Sequence, residues 1–537
     1  MSASAYLDTF ARDNLPPRAH WPQLLFELPE LQYPDRLNCV VELLDRMAVG
    51  AQAQRPAIHS HQGVWTYAQL LAKVNQIAQV LRDDMQLVPG NRVLLRGANN
   101  RMMAACWLAV LKAGLIAVPT MPLLRAKELT VILDKAQVSA ALCAEDLRVE
   151  MDAARSGAPQ LAQVVYFNGD APTALEQLMA AKPTEFKACD TAADDIALIA
   201  FTSGTTGKPK GTMHTHRDVL AICDCFPRSI LRSHADDIFI GTPPLAFTFG
   251  LGGLLLFPLR AGAATVLLEK MTPEALLKNI QDFQATICFT APTFYRQMAP
   301  LAAKYDLLSL KKTVSAGEAL PRATRELWRQ ATGLAMIDGI GSTELLHIFI
   351  SAAGDDIRPG ATGKPIPGYQ ACILDDQGQP VPAGVVGRLA VKGPTGCRYL
   401  NDPRQADYVH EGWNLTGDAY EMDADGYFWY RARTDDMIIS AGYNIAGPEV
   451  EDALLQHPDV AECGVVGLPD EERGQIVTAY VVLKPGVEGD AATIKQLQEF
   501  VKQSIAPYKY PRAINFCSAL PRTETGKLQR FKLRQAA

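Results

Sequence analysis

The densest phosphate-binding chemistry in the chain lies in the decamer Thr202, Ser203, Gly204, Thr205, Thr206, Gly207, Lys208, Pro209, Lys210 and Gly211. Its glycines let backbone approach a polyanion closely, its hydroxyls supply donors and its lysines supply charge. The apolar run Ile196 to Phe201 precedes it, so a strand feeds a loop whose N–H groups can turn inward as an anion nest. A Walker P-loop would need G-x-x-x-x-G-K-[ST]; counted from Gly204, the sixth position is Pro209, so that motif is absent. An ordinary Gly/Ser/Thr linker stays open on spacing alone.

Three further residues could do chemistry with a bound polyphosphate. Glu344 closes a Gly-Ser-Thr-Glu turn and can offer a carboxylate to a divalent cation; a helix-capping role is the alternative. Asp418, in Thr-Gly-Asp, is an ionised acceptor suited to paired hydroxyls. Lys527 sits in the segment 501–537, which carries eight Lys/Arg and one Glu in a chain whose net charge is −6. That segment reads either as a solvated basic tail or as a lid face that meets polyphosphate.

The elements that must position these groups follow an α/β alternation. Thr272-Pro273-Glu274 supplies an N-cap, a first-turn proline and an acid, opening a helix to about Phe283. The β-type run Thr286 to Thr290 follows, and another helix starts near Pro321 and ends at Gly333. This pattern predicts an α/β fold with largely parallel sheets. Beyond the charged stretch Tyr430 to Asp436 the pattern shifts to helices near Pro448–Gln456 and Ala492–Ser504, with strands near Ala461–Val466 and Ile476–Leu483. A small α+β unit is expected there. The boundaries adopted are 1–434 for a large N-terminal domain of layered α/β subdomains and 435–537 for a small, mobile C-terminal domain.

Composition narrows the classes. At 537 residues the chain needs at least two domains, and 48% hydrophobic with 20% charged residues is that of a globular protein. The mild net charge gives no reason to expect a nucleic-acid or membrane partner. The longest apolar stretches contain Lys112 and Pro119, or Pro258 and Arg260, and read as core rather than membrane spans. Acidic residues and prolines interrupt the N-terminal segment where a secretory signal needs an apolar run. Eleven scattered cysteines without a C-x-x-C pair fit a reduced, cytoplasmic protein.

The decamer closely resembles the phosphate loop of the adenylate-forming superfamily, which includes acyl- and aryl-CoA synthetases, adenylation domains and firefly luciferase. Other motifs of that superfamily follow in its order. Residues 315–321, Ser-Ala-Gly-Glu-Ala-Leu-Pro, resemble its adenine-contacting strand end, and residues 339–344 the loop whose glutamate holds Mg²⁺. Thr416-Gly417-Asp418 resembles the ribose element, residues 431–436 the interdomain hinge, and residues 521–527 the catalytic-lysine loop. One departure is Ile340, where the family often has a tyrosine that stacks on adenine.

The resemblance implies ATP, Mg²⁺ and CoA as cofactors or co-substrates. It assigns ATP or AMP binding to residues 202–208 with Gly317, Glu318, Ala319, Asp338, Gly339, Asp418 and Arg433. Catalysis falls to Lys527, Thr343 and Glu344, with Glu344 also the metal ligand. Lys527 would bridge the incoming carboxylate and the α-phosphate, and the small domain would then swing about Asp435. Gly442 and Tyr443 would line the CoA tunnel.

For the acid, Pro244 to Gly250 and Leu345 to Phe349 resemble benzoate-CoA ligases, placing Phe247, Thr248, Phe249, Gly317, Ile340, Gly341 and His347 around a small aromatic carboxylate. Core packing at alternating strand spacing is the other reading of Phe247 and Phe249. The N-terminal stretch from Asp8-Thr9-Phe10-Ala11-Arg12-Asp13-Asn14-Leu15-Pro16-Pro17 to Leu37-Asn38-Cys39 resembles 2-aminobenzoate-CoA ligases most closely. The expected activity is therefore an aryl-CoA ligase acting on 2-aminobenzoate or benzoate. A medium-chain acyl-CoA synthetase, a carrier-loading enzyme and a non-catalytic nucleotide-binding homologue are the alternatives, and a homodimer is compatible with any of them.

Overall fold

The structure, a computed structural model, describes residues 3–202, 209–440, 443–470, 473–505, 507–522 and 528–535. Its large domain is organised around three sheets among these residues. The first runs in the spatial order Gln163–Phe167, Ala140–Ala144, Arg92–Arg96, Ile116–Thr120, Ile196–Thr202, Lys210–Thr215. Its pairings are parallel except for the last, in which Thr202 faces Lys210 in register across the mouth of the decamer loop.

The second sheet has nine strands. Its centre is the parallel run Met336–Gly341, Lys312–Ser315, Ile287–Thr290, Ile238–Gly241 and Ala264–Val266. Parallel strands end together, so the loops after four neighbours emerge at one sheet edge, where open α/β sheets form their binding crevice. The connecting helices begin and end where local chemistry predicts. Thr272 caps Pro273–Phe283 by accepting from the Ala275 N–H at 3.2 Å. Gly333, at φ +76°, ends Arg322–Thr332. An antiparallel third sheet, including Trp413–Met422 and Phe428–Arg433, closes the domain.

The apolar stretches are core, as expected. Helix Arg101–Lys112 is capped by Asn100 and almost wholly buried; its Lys112 is 1% exposed because the ammonium reaches Asp45 at 2.8 Å. No helix among the described residues is long and apolar enough to cross a membrane.

The C-terminal unit has its own core, in which Ile438, Val450, Leu454, Val465, Val481 and Leu497 pack together. It carries the antiparallel pair Val460–Asp470 and Gly474–Leu483, extended in parallel by Ala513–Phe516, with helices Gly447–Leu455 and Ala491–Ser504. The observed strand pair is longer than the apolar runs imply, because Pro469 and Asp470 still join the ladder.

Candidate active site

Three strand ends of the second sheet bring the expected residues together. Gly317, Glu318 and Ala319 follow Lys312–Ser315, and Asp338, Gly339, Ile340 and Gly341 lie on Met336–Gly341. Thr343 and Glu344 come next, and Phe247, Thr248 and Phe249 follow Ile238–Gly241. Glu318 accepts from the Thr293 hydroxyl at 2.8 Å, tying two of these loops together.

Glu344 does not cap a helix. It is 7% exposed, and its Oε1 accepts from the Tyr399 hydroxyl at 2.5 Å. Lys210 donates to the same Tyr399 oxygen at 2.8 Å and lies 3.8 Å from the Glu344 carboxylate. Burial, together with the Glu344 charge, holds the Tyr399 phenol far above its ordinary range, so it stays a donor. Behind the loop, His214 Nε2 donates to the Thr343 carbonyl at 2.7 Å. Tyr399 and His214 carried no signal in the sequence, since their partners lie 55 and 129 residues away.

Asp418 and Arg433 stand opposite each other on adjacent antiparallel strands and pair at 3.1 Å. Gly417, at φ +75°, allows this approach: a Cβ there would meet Arg433 Nη2 at 2.7 Å. Burial raises the Asp418 pKa, Arg433 opposes the rise, and the nearby Glu344 charge adds to it. The same cleft holds Asp338, which burial pushes up to about 6 against the pull of Arg325, 3.9 Å away. Three carboxylates so arranged fit a group that brings cations or hydroxyls with it.

The aromatic residues form a packed cluster around His347, three residues after Glu344. His347 lies edge-on to Phe257 at 4.5 Å and packs against Phe226 at 5.7 Å and Phe249 at 5.8 Å. Phe289 closes on Phe249 at 5.5 Å. Gly252 makes room for the imidazole, because a Cβ there would meet its Cδ2 at 2.4 Å. Burial pushes the His347 pKa down to about 3, leaving the ring neutral. The alternating-strand reading of Phe247 and Phe249 is corrected: Phe247 precedes a four-residue helix, Thr248–Leu251, so helical turn geometry sets their directions. Sequence reasoning missed Phe226, Phe257 and Phe289, which come from separate elements.

Ser203, Gly204, Thr205, Thr206, Gly207, Lys208, Gly442 and Lys527 lie outside the described residues. Asp435 lies in the short turn Thr434–Asp436 between the domains, and exposed Tyr443 stacks on Tyr508 at 4.5 Å. Among the described residues the basic C-terminal segment is not simply a solvated tail: Lys509 pairs with Glu449, Arg530 with Glu451 and Arg534 with Asp436. Arg522 joins Glu462 at 2.8 Å and reaches Glu318 of the large domain at 3.7 Å.

The family model described as AMP-binding enzyme matches residues 45–398, and that of the AMP-binding enzyme C-terminal domain matches residues 449–527. The chain belongs to the AMP-binding enzyme family. Its relatives include a benzoate–CoA ligase of Thauera aromatica, 35% identical over 95% of this chain and 98% of that protein. A human mitochondrial acyl-coenzyme A synthetase, ACSM3, is 31% identical over 94% and 90%. Among solved structures, the anthranilate CoA ligase AuaEII in complex with anthranoyl-AMP superposes with a TM-score of 0.90 at 34% identity, covering 95% of this chain and 99% of its own. A benzoate CoA ligase from Burkholderia xenovorans LB400 gives 0.84 at 32% identity, with coverage of 93% and 100%. With full-length likeness to these proteins, the AMP-binding enzyme described here is of the acid–CoA ligase type.

Proposed function

We propose that the enzyme joins a small aromatic acid, benzoate or 2-aminobenzoate (anthranilate), to CoA through an aryl-adenylate, releasing AMP and pyrophosphate. The observation that carries the choice of acid is the aromatic cluster of Phe249, Phe257 and His347, which packs around the residue three places after Glu344. Flat apolar walls close to a charged cleft suit a ring bearing one carboxylate.

A carboxylate is a poor acylating agent, because its leaving group would be oxide. Attack of one carboxylate oxygen on the α-phosphorus of ATP forms the mixed anhydride and expels pyrophosphate. CoA thiolate then attacks the acyl carbon and AMP departs. In this reading Asp418 accepts from the ribose hydroxyls while Arg433 turns from it toward phosphate oxygen. Gly317, Glu318, Ala319 and Gly339 border the base, with Ile340 giving it an aliphatic face. Residues 202–208 cradle the triphosphate, and Lys527 supplies the cation at the reacting oxygens.

For a divalent cation, Glu344 is the fitting donor: a buried carboxylate held in one orientation by Tyr399, on a loop facing the phosphate-binding strand end. Magnesium commonly takes one or two carboxylates plus substrate phosphates, and there it would neutralise the charge of the triphosphate. We take Asp435 as the hinge for lid rotation and Gly442 with Tyr443 as the channel for pantetheine. The enzyme operates in the cytoplasm on soluble acids.

The test is AMP release with CoA over a panel of acids. Benzoate or 2-aminobenzoate should show the highest kcat/KM. Faster turnover of medium-chain fatty acids, the reading that the ACSM3 likeness favours, would overturn the aryl assignment.

A further inference from the structure

Helix Arg322–Thr332 of the large domain starts after Pro321, whose side chain offers its first turn no acceptor. The first N–H groups of a helix need a partner from outside the helix. Here that partner comes from the other domain. Asp452, on helix Gly447–Leu455, accepts from the Arg322 N–H at 2.8 Å. Burial raises the Asp452 pKa, and the Arg322 and Ala323 N–H groups together with the Arg322 charge oppose the rise. A carboxylate in this place also meets the positive end of the helix dipole.

The small domain does not need Asp452 for its own packing. Val450, Ala453 and Leu454 of the same helix lie in the domain core, and Glu451 binds Arg530. Among the described residues the Asp452 carboxylate has no hydrogen bond within its own domain.

Two more contacts share this interface. Arg296, on helix Pro292–Met298, donates to the Ala461 carbonyl at 3.2 Å, and Arg522 lies 2.8 Å from Glu462 and 3.7 Å from Glu318. Arg296, Glu318 and Arg322 all follow the neighbouring strands Ile287–Thr290 and Lys312–Ser315, at the sheet edge that carries the cleft. Arg522 and Leu528 flank residues 523–527 and bridge each other, and the Gln529 N–H donates to the Pro521 carbonyl at 2.8 Å. This orientation of the small domain therefore sets the flanks of the Lys527 segment beside Glu318.

We propose that Asp452 is a positioning residue that selects this domain orientation for the adenylation half-reaction, by capping a large-domain helix that has no side-chain cap of its own. Rotation about Asp435 for thiol transfer breaks the cap, so Asp452 weights the balance between the two orientations without touching substrate. The inference rests on the lid rotation proposed above.

The test follows both half-reactions and the domain orientation in the whole enzyme. Asp452→Ala removes the acceptor, whereas Asp452→Asn keeps an amide oxygen in its place. Acid-dependent ATP–pyrophosphate exchange should fall about five-fold in kcat in Asp452→Ala, the shift expected for one lost cap. Thioester formation from pre-formed aryl-adenylate should hold or rise, and Asp452→Asn should stay within about two-fold of wild type in both steps. Spin labels carried by unnatural amino acids at exposed Leu308 and Glu488 report the orientation through their separation, read by double electron–electron resonance. With MgATP bound, the population at the separation of this structure should fall in Asp452→Ala and return in Asp452→Asn. Equal loss in both half-reactions, unchanged exchange, an unchanged distance distribution in Asp452→Ala, or no rescue by Asp452→Asn would overturn the role of Asp452. A single separation in wild type, shifted neither by MgATP nor by adenylate with CoA, would instead end the lid-rotation reading, and the inference with it.

Discussion

Tyr399→Phe isolates the contact that fixes the Glu344 carboxylate. The substitution keeps the ring, which stands edge-on to Tyr408 at 5.7 Å, and removes the hydroxyl. Lost with it are the 2.5 Å bond to Glu344 Oε1 and the acceptor that Lys210 uses at 2.8 Å. A hydrogen bond to a charged group contributes about 1.5–3 kcal/mol. Glu344 and Lys210 remain 3.8 Å apart and can close on each other, which recovers part of that loss. The lower part of the range is therefore expected, about 1.5–2 kcal/mol, or roughly 10–30-fold in rate. The assay is acid-dependent ATP–pyrophosphate exchange, measured as kcat/KM for MgATP and repeated over a range of free magnesium. Exchange should fall by that factor, with half-activation moved to higher magnesium, while thioester formation from pre-formed aryl-adenylate stays within about two-fold of wild type. Unchanged exchange at every magnesium concentration would refute the idea that Tyr399 sets the carboxylate. Equal loss in both half-reactions would point to general misfolding of the cleft.

Lys527→Ala should abolish pyrophosphate exchange and spare thioester formation from pre-made adenylate; equal loss of both would argue against confining this cation to the first step. Gly442→Leu should leave exchange near normal and stop CoA transfer, and undiminished thioester production would remove it from the thiol channel. Asp338 has a folded-state pKa raised to about 6, so its contribution is fully present below about pH 3.8 and is lost as pH rises toward 6. Asp338→Asn should accordingly stabilise the large domain above pH 6 by up to about 3 kcal/mol, less the loss of the Arg325 contact, with no gain below pH 4; denaturant melts at pH 4 and 8 with equal differences would refute this. Asp45→Ala should cost about 3–5 kcal/mol by stranding the Lys112 ammonium, whereas Lys112→Met should cost little; a smaller loss for Asp45→Ala than for Lys112→Met in urea melts would contradict the burial argument.

The helix limits at Thr272 and Gly333 were legible because capping is written in adjacent residues and needs no tertiary partner. The alternation of strands and helices was legible for the same reason. Glu344, Asp418 and Arg433 could be named from motif order, but Tyr399, the partner of Glu344, could not. Tyr399 reaches Glu344 across 55 positions and Asp218 meets Arg398 across 180, and such pairings exist only once the sheets have formed. The aromatic cluster around His347 was half legible. Phe249 and His347 lie on short stretches with a recognisable pattern, whereas Phe257 and Phe289 complete the ring cage from a helix and a central strand. Phe247 misled because a period of two over three residues cannot separate a strand from the first turn of a helix.

The charge on the C-terminal segment shows why composition alone was ambiguous there. An excess of seven positive charges suggests a broad electrostatic face, yet Lys509, Arg530 and Arg534 each meet a carboxylate from an earlier element of the same unit or from the turn Thr434–Asp436 before it. Those cations are spent on holding the domain together, and a pre-paired cation offers a triphosphate little. The large domain follows the same rule, with Lys210 on Tyr399 and Arg433 on Asp418. On the proposed reading nucleotide entry proceeds by exchange, the ribose hydroxyls taking Asp418 as Arg433 turns to phosphate. In that reading an exchange of partners couples ribose recognition to phosphate binding, since whatever satisfies Asp418 frees the Arg433 contact at 3.1 Å.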